Sequence, residues 1–209
     1  MSNNLALELT STARAYGQRP AIRLDKDVVT YAELDQATAR VAGLLRELGV
    51  EPGDAVGVML PNVPYFAFAY HGVLRAGGVV VPMNVLLKQR EVAFHLSDSQ
   101  AKLVFAWHEF AEPAQRGADE AGADCVIVAP GAFERLLGRT EAATEVVERA
   151  GNGDVSHDGH AVGARRVDDE LRHFPLALSD HCGRGVFLFA VFEGGGEMGG
   201  IHDDHAGGF

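Results

Sequence analysis

Two kinds of hydrophobic pattern alternate along the first 150 residues. Short apolar runs bounded by glycine, proline or aspartate predict β-strands, whereas apolar residues spaced three or four apart predict amphipathic helices. The predicted strands are residues 21–24, 28–30, 55–60, 79–82, 103–106 and 125–128. The predicted helices are residues 4–16, 31–48, 65–76, 89–97, 109–121, 133–137 and 140–149. This alternation predicts an α/β fold, a parallel-sheet sandwich with flanking helices.

Residues 49–84 form the centre of the predicted fold. A buried strand at 55–60 is followed by an apolar helix and by a second strand at 79–82, which is the pattern of a parallel βαβ unit. Asn62 is predicted to cap the intervening helix, with Pro64 in its first turn. Parallel strands need helices on both faces, so the preceding and following helices are expected to cover this unit.

Other helix ends carry equally local signals. The sequence from Thr30 to Glu33 predicts a capping box at the start of the long second helix. That helix presents Leu34, Val41, Leu45 and Leu48 along one stripe, which is predicted to face the core.

The pattern changes at Gly151. From there to the end of the chain, four arginines stand against ten acidic residues, and six of the nine histidines occur there. Apart from the apolar run at 186–192, the periodicity is lost. We therefore predict a domain at residues 1–150 and a Gly/His-rich, disordered tail at residues 151–209.

Charge and composition exclude several classes of function. The formal net charge of −11 argues against nucleic-acid binding, which requires a basic face. The two cysteines, Cys125 and Cys182, are too few for a disulfide framework. The sequence contains neither a signal-peptide pattern nor an apolar run of the roughly 20 residues that span a bilayer. A cytoplasmic protein without a transmembrane segment is predicted.

Two clusters in the tail invite a ligand-binding interpretation. Histidine, cysteine and aspartate can ligate zinc, but their spacing matches no closed four-ligand site; the residues concerned are His157, His160, His181, Cys182, His202, Asp203, Asp204 and His205. Glycines at 194–200 resemble a phosphate loop, yet Glu193 and Glu197 would repel phosphate and no lysine follows. Adventitious metal binding and a flexible segment are the favoured interpretations.

Within the predicted domain, candidate residues also have simpler explanations. His71, His95 and His108 are the histidines of this region. Their spacing from other residues identifies no Ser, Cys or carboxylate partner for catalysis. The four aromatic residues of the central helix suit either an acyl pocket or core packing, and core packing is favoured; they are Tyr65, Phe66, Phe68 and Tyr70. Asn62 and Asn84 follow strands and could face a ligand, but capping and turn formation account for both.

Several short motifs follow one another in a set order along residues 19–99. They are Arg19-Pro20-Ala21-Ile22, Thr30-Tyr31-Ala32-Glu33-Leu34, Gly49-Val50 with Pro52-Gly53-Asp54, Pro61-Asn62, Arg75-Ala76-Gly77-Gly78, Val81-Pro82-Met83-Asn84, and Glu91 with Leu96-Ser97-Asp98-Ser99. Together, with their spacing, these motifs resemble the start of AMP-forming acyl-CoA synthetases of the acyl-adenylate-forming superfamily. The resemblance implies the first subdomain of a larger ligase. It also implies a parent activity: ATP-dependent conversion of a carboxylate, expected to be a fatty acid, to an acyl-adenylate and then to an acyl-CoA.

The sequence departs from this family where the family's phosphate loop should begin. That loop is rich in Ser, Thr and Gly and ends in Pro-Lys-Gly, so that backbone N–H groups and a lysine can neutralise ATP phosphates. Residues 151–160 contain neither a lysine nor a Thr/Gly run. No catalytic, cofactor-binding or metal residue can therefore be carried over. The family's ATP, Mg²⁺ and coenzyme A are expected to have no site in this chain.

Three hypotheses follow from this departure. The chain is a truncated, inactive synthetase, with a frameshift as the origin of its tail; or it is a binding or regulatory module that associates with a full-length ligase; or it is an intact ligase with unusual phosphate binding. Self-association through uncovered apolar faces is a further expectation of the truncated form. Translation of the coding DNA in the other two frames tests the frameshift, because one frame should contain a glycine-rich loop ending in lysine.

Overall fold

The structure is a computed structural model, and it describes residues 4–147. The helices are α1 (Leu5–Tyr16), α2 (Tyr31–Glu47), α3 (Pro64–Arg75), α4 (Gln89–Asp98), α5 (Ala111–Ala121) and α6 (Ala132–Arg139). The strands are β1 (Pro20–Leu24), β2 (Asp27–Thr30), β3 (Ala55–Met59), β4 (Val79–Pro82), β5 (Leu103–Trp107) and β6 (Asp124–Val128). A short 3₁₀ turn, His108–Phe110, precedes α5.

Four of the strands form one parallel sheet, in the order β4-β3-β5-β6. β1 and β2 form a separate antiparallel hairpin that leads into α2. The predicted α/β class and the parallel sheet with flanking helices are confirmed. The predicted tail lies outside the described residues.

Successive residues of each strand face opposite layers of helices. Val56 and Val58 of β3 contact the core that α2, α3 and α6 share, whereas Ala55 and Met59 contact the core shared by α4 and α5. Every residue of β3 and β5 is buried, which explains why both read as continuous apolar runs. Phe105, which is fully buried, packs edge-to-face against Phe133 of α6.

Helices α2 and α3 approach each other closely at Gly72. A Cβ atom at this position would lie 2.4 Å from the Cγ1 atom of Val41. The absence of a side chain at Gly72 therefore sets the distance between the two helices. No residue of α3 is fully exposed, as the apolar residues around the helix predicted.

The predicted capping box of α2 is confirmed. The Thr30 side chain accepts a hydrogen bond from the Glu33 backbone, and the Glu33 carboxylate accepts one from the Thr30 backbone. Hydrogen bonds from the Thr30 backbone and hydroxyl lower the pKa of the Glu33 carboxyl group. Local sequence thus determines where this helix begins.

Three local predictions are wrong. Asn62 does not cap α3; Val63 occupies the N-cap position without a side-chain hydrogen bond, and Pro64 begins the helix. Leu48 lies beyond the end of α2 and is 40% exposed, so it does not continue the buried stripe. Residues 140–147 are irregular instead of helical, because their backbone groups bond to α2 and α3.

Within residues 4–147, no helix has the length and hydrophobicity needed to cross a membrane.

Candidate functional site

The carboxyl ends of β3 and β5 meet at a topological switch point. The chain leaves β3 through α3 to reach β4 on one side, and leaves β5 through α5 to reach β6 on the other. Met59 and Ala106 are paired there, so the segments that follow the two strands start side by side. Ligands of open α/β sheets bind in the crevice that such a divergence creates. This edge of the sheet is therefore a candidate ligand-binding site.

Aromatic side chains fill one side of this edge. The ring of Tyr65 lies 6.1 Å from that of Trp107 and 6.0 Å from that of Phe133. Trp107 is 9% exposed, and its indole N–H donates to the Glu109 carboxylate over 3.2 Å. The Tyr65 hydroxyl donates to the Glu134 carboxylate. Burial, followed by this bond, raises the pKa of Tyr65.

The aromatic residues of α3 mainly pack the core. Tyr65, Phe66 and Phe68 pack against the cluster that contains Phe105. Phe66 also stacks on Tyr70, with ring centroids 6.0 Å apart. These contacts support core packing, the interpretation that the sequence favoured over an acyl pocket.

The three histidines of the described part are widely separated. His71 lies within α3, His95 is exposed on α4 across the sheet, and His108 is exposed at the switch point, with its ring 4.6 Å from that of Trp107. Residues 4–147 contain no group of three His, Cys, Asp or Glu side chains arranged to hold a metal ion. The structure therefore brings no catalytic cluster together around these histidines.

His71 has a buried ring nitrogen. Its Nδ1 atom has no hydrogen-bond partner among the described residues. Burial lowers the pKa of His71 below its ordinary value of 6.5, because a charged imidazolium is poorly solvated there. The fold accordingly favours the neutral ring.

This burial predicts a stability that depends on pH. A lowered pKa in the folded state means that the contribution of His71 is fully present above pH 6.5 and is lost as the pH falls below that value. We expect the free energy of unfolding to decrease on acidification below pH 6.5, and His71→Gln to reduce this decrease. Urea titrations at a series of pH values measure this change in the free energy of unfolding. The exposed His95→Gln is the matched control, and equal pH profiles for both variants would contradict the prediction.

The two candidate asparagines behave differently. Asn62 is exposed beside the switch point. Asn84 Oδ1 accepts a hydrogen bond of 2.9 Å from the Leu86 backbone, which is the turn chemistry expected from the sequence. Asn84 therefore has a structural role, whereas Asn62 has no side-chain role in capping.

Cys125 is half-buried in β6, and burial raises the pKa of its thiol to about 11. A thiol with so high a pKa is a poor nucleophile at neutral pH. Cys125 therefore does not extend the candidate site.

The densest polar network of the described part surrounds Arg75, at the end of α3. Arg75 is 3% exposed, and its Nη1 atom lies 2.7 Å from Asp35 Oδ1. Its Nε atom donates to the Ala143 carbonyl over 2.9 Å, and Nη2 donates to the Thr144 carbonyl over 2.7 Å. Thr10 of α1 donates to the same Asp35 oxygen. The planar guanidinium thus joins α2 and α3 to the segment after α6, and Asp35 links α1 to the same network.

A cleft of about 370 Å³ lies beside this network. Arg46 and Arg75 contribute positive charge, Glu141 and Glu145 contribute negative charge, and Ala42 and Val50 contribute apolar walls. Asp35 already neutralises Arg75, so Glu141 and Glu145 outweigh Arg46 and the lining does not favour an anion.

Comparison with known proteins decides the family. The model of the family described as "AMP-binding enzyme" matches residues 9–166, about three quarters of the chain. The chain belongs to the AMP-binding enzyme family. The family match extends past residue 150 and so does not mark the boundary predicted there.

Curated proteins similar to this chain include CoA ligases of aromatic and fatty acids. A 3-hydroxybenzoate–CoA/4-hydroxybenzoate–CoA ligase of Thauera aromatica is 37% identical over 108 residues, covering 52% of this chain and 21% of the relative. A long-chain-fatty-acid–CoA ligase of Bacillus subtilis is 34% identical over 96 residues, covering 46% of this chain and 17% of the relative. The chain thus spans about a fifth of the length of these relatives.

Solved structures agree with this assignment. A benzoate CoA ligase from Burkholderia xenovorans LB400 aligns with a TM-score of 0.64 and 28% identity, over 68% of this chain and 30% of that protein. The N-terminal domain of FACL13 from Mycobacterium tuberculosis aligns with a TM-score of 0.60 and 27% identity, over 70% of this chain and 38% of that one. The described fold therefore corresponds to the N-terminal subdomain of acyl-CoA ligases.

The candidate ligand-binding residues predicted within 151–209 lie outside the described residues. These are the histidines and Cys182, the glycines at 194–200, and residues 151–160, where a phosphate loop would be expected. The structural role of Arg75 is not predictable from its place in the motif Arg75-Ala76-Gly77-Gly78. No local signal marks a buried arginine, because its partners at 35 and 143–144 are distant in the chain.

Proposed function

We propose that this chain contributes the N-terminal scaffold of an acid–CoA ligase. In the parent reaction, a carboxylate oxygen attacks the α-phosphorus of ATP and pyrophosphate leaves. The thiol of coenzyme A then displaces AMP from the acyl-adenylate. Support comes from the family match over residues 9–166 and from relatives named as CoA ligases of aromatic and long-chain fatty acids. A fatty acid is the proposed substrate, in a cytoplasmic setting.

We further propose that these 209 residues do not catalyse the reaction alone. One observation carries this proposal: no lysine occurs after Lys102, and residues 151–160 lack the Thr/Gly run of a phosphate-binding loop. Without such donors, the charge of a triphosphate would remain unneutralised. The proposed domain boundary at residue 150 and the frameshifted origin of residues 151–209 rest on the same change in composition.

Pyrophosphate release tests the proposed inactivity. With the purified chain, ATP, Mg²⁺, coenzyme A and either a long-chain fatty acid or benzoate, we expect no release above the background without protein. The Burkholderia benzoate CoA ligase, assayed beside it with benzoate, shows that the assay detects turnover. Calorimetric titration with Mg²⁺-ATP provides a second readout. Robust turnover or tight binding of ATP would refute the proposal and favour an intact ligase with unusual phosphate binding.

A binding module is the second candidate function. Within residues 4–147, β4 and β6 each pair with one neighbour only, so both edges of the sheet can accept a further strand. Leu86 and Phe94 are 64% and 65% exposed on the side of the sheet that carries α4. These features suit association with a full-length ligase or with a second copy of the chain.

Association can be measured directly. Under the module proposal, the purified chain co-elutes with a full-length acid–CoA ligase in size-exclusion chromatography, and Phe94→Ser weakens the complex. Under self-association, the chain alone elutes at twice its mass of 22.3 kDa. Elution as a monomer in both experiments would reject both forms of association.

A further inference from the structure

We infer that residues 140–147 form a strap that is latched by Arg75 and opens as a local unit, independently of the sheet. The strap, defined by these residues, crosses from α2 to α3. It ends at Val147, the last described residue. The contacts of this strap are independent of ATP binding.

The strap is attached mainly by polar contacts. None of residues 141–147 is buried, although Thr140 at its start is 6% exposed. The Ala143 N–H donates to the Ala39 carbonyl over 2.8 Å, and the Val147 N–H donates to the Arg75 carbonyl over 2.9 Å. Segments with little buried apolar surface open at a low free-energy cost, without global unfolding.

Arg75 supplies the contacts that close the strap. Two of its nitrogen atoms, Nε and Nη2, bind successive strap carbonyls, those of Ala143 and Thr144. Its third nitrogen, Nη1, is held by Asp35. The ion pair thus orients the guanidinium group, and the guanidinium group in turn holds the strap. Lysine at this position would keep the charge but lose the planar fork.

Gly43 provides the space for the strap on α2. A Cβ atom there would lie 1.8 Å from the Glu141 carbonyl oxygen, so any side chain must displace the strap. Alanine itself favours a helix over glycine. Gly43→Ala should therefore open the strap without weakening α2 and without changing Arg75.

Hydrogen exchange of the full 209-residue chain tests the latch. In both Arg75→Lys and Gly43→Ala, we expect the Ala143 and Val147 amides to exchange at least about tenfold faster, because the bonds they donate are lost. Amides of β3 and β5 should keep their exchange rates in Gly43→Ala. In Arg75→Lys they should accelerate less than the strap amides, because the buried Arg75–Asp35 pair also contributes to global stability. The matched controls are Arg90→Lys, exposed on α4, and Gly138→Ala, where a Cβ atom would meet nothing within 4 Å.

Two results would overturn the inference. Unchanged exchange at Ala143 and Val147 in both variants would show that neither Arg75 nor Gly43 controls the strap. Equal acceleration in the strap and in β3 and β5 would show that the strap is part of the globally cooperative core.

Discussion

Phe105→Ala is expected to lower the free energy of unfolding by about 3–5 kcal/mol. Phe105 is fully buried in β5, a strand that pairs with both β3 and β6. Its ring packs edge-to-face against Phe133 at 6.1 Å. Removing the ring both loses apolar burial and leaves a cavity that the surrounding sheet and α6 can fill only in part. Since domains are stable by only about 5–15 kcal/mol, this variant should be close to unfolding.

Equilibrium urea denaturation of the purified chain measures this effect. Phe94→Ala is the matched control, because Phe94 is 65% exposed on α4 and the same atoms are removed. The control should change stability by no more than about 0.5 kcal/mol. Similar losses in the two variants would contradict the central position assigned to Phe105.

Gly72→Val should destabilise the protein by about 3 kcal/mol through overpacking. A Cβ atom at Gly72 would lie 2.4 Å from Val41 Cγ1 and 3.3 Å from the Thr38 carbonyl oxygen, so α2 and α3 must separate to admit a side chain. That separation weakens the core on this face of the sheet. The better helix propensity of valine offsets only a few tenths of a kcal/mol.

A double-mutant cycle identifies the clash. A Cβ atom at position 72 would lie 2.4 Å from Val41 Cγ1 and 2.5 Å from Val41 Cβ, and only Val41→Gly removes both atoms. The double variant with Val41→Gly should therefore lose less stability than the sum of the losses in the two single variants. Gly138→Val in α6 is the control, because its Cβ atom would meet nothing within 4 Å. If the stability losses of the substitutions at 41 and 72 were simply additive, the contact between these two positions would not be the cause of the loss in Gly72→Val.

Much of the fold follows from short-range patterns. The continuous apolar runs of β3 and β5 predict buried strands because both faces of each strand are covered by helices. Thr30 and Glu33 are three residues apart and bond to each other, so the start of α2 can be predicted without knowledge of the rest of the molecule. Asn84 likewise forms its turn with Leu86, two residues away.

The strand order and the switch point required the tertiary structure. Nothing in the individual apolar runs specifies that β5 lies between β3 and β6, because parallel pairing is established between distant segments. The position of His108 beside the carboxyl end of β3 depends on that order. The candidate site at the carboxyl ends of β3 and β5 could therefore be identified only once the strand order was known.

The sequence by itself determined the fold class, the extents of most strands and helices, and the resemblance to AMP-forming ligases, since each depends on residues close together in the chain or on motifs in a fixed order. Only the tertiary structure decided the conformation of residues 140–147. Their composition predicts a helix, but Ala39 and Arg75 accept their backbone N–H groups, and the guanidinium group of Arg75 binds their carbonyls. A helix bonds these groups within itself, whereas here partners about seventy to a hundred residues away replace that bonding.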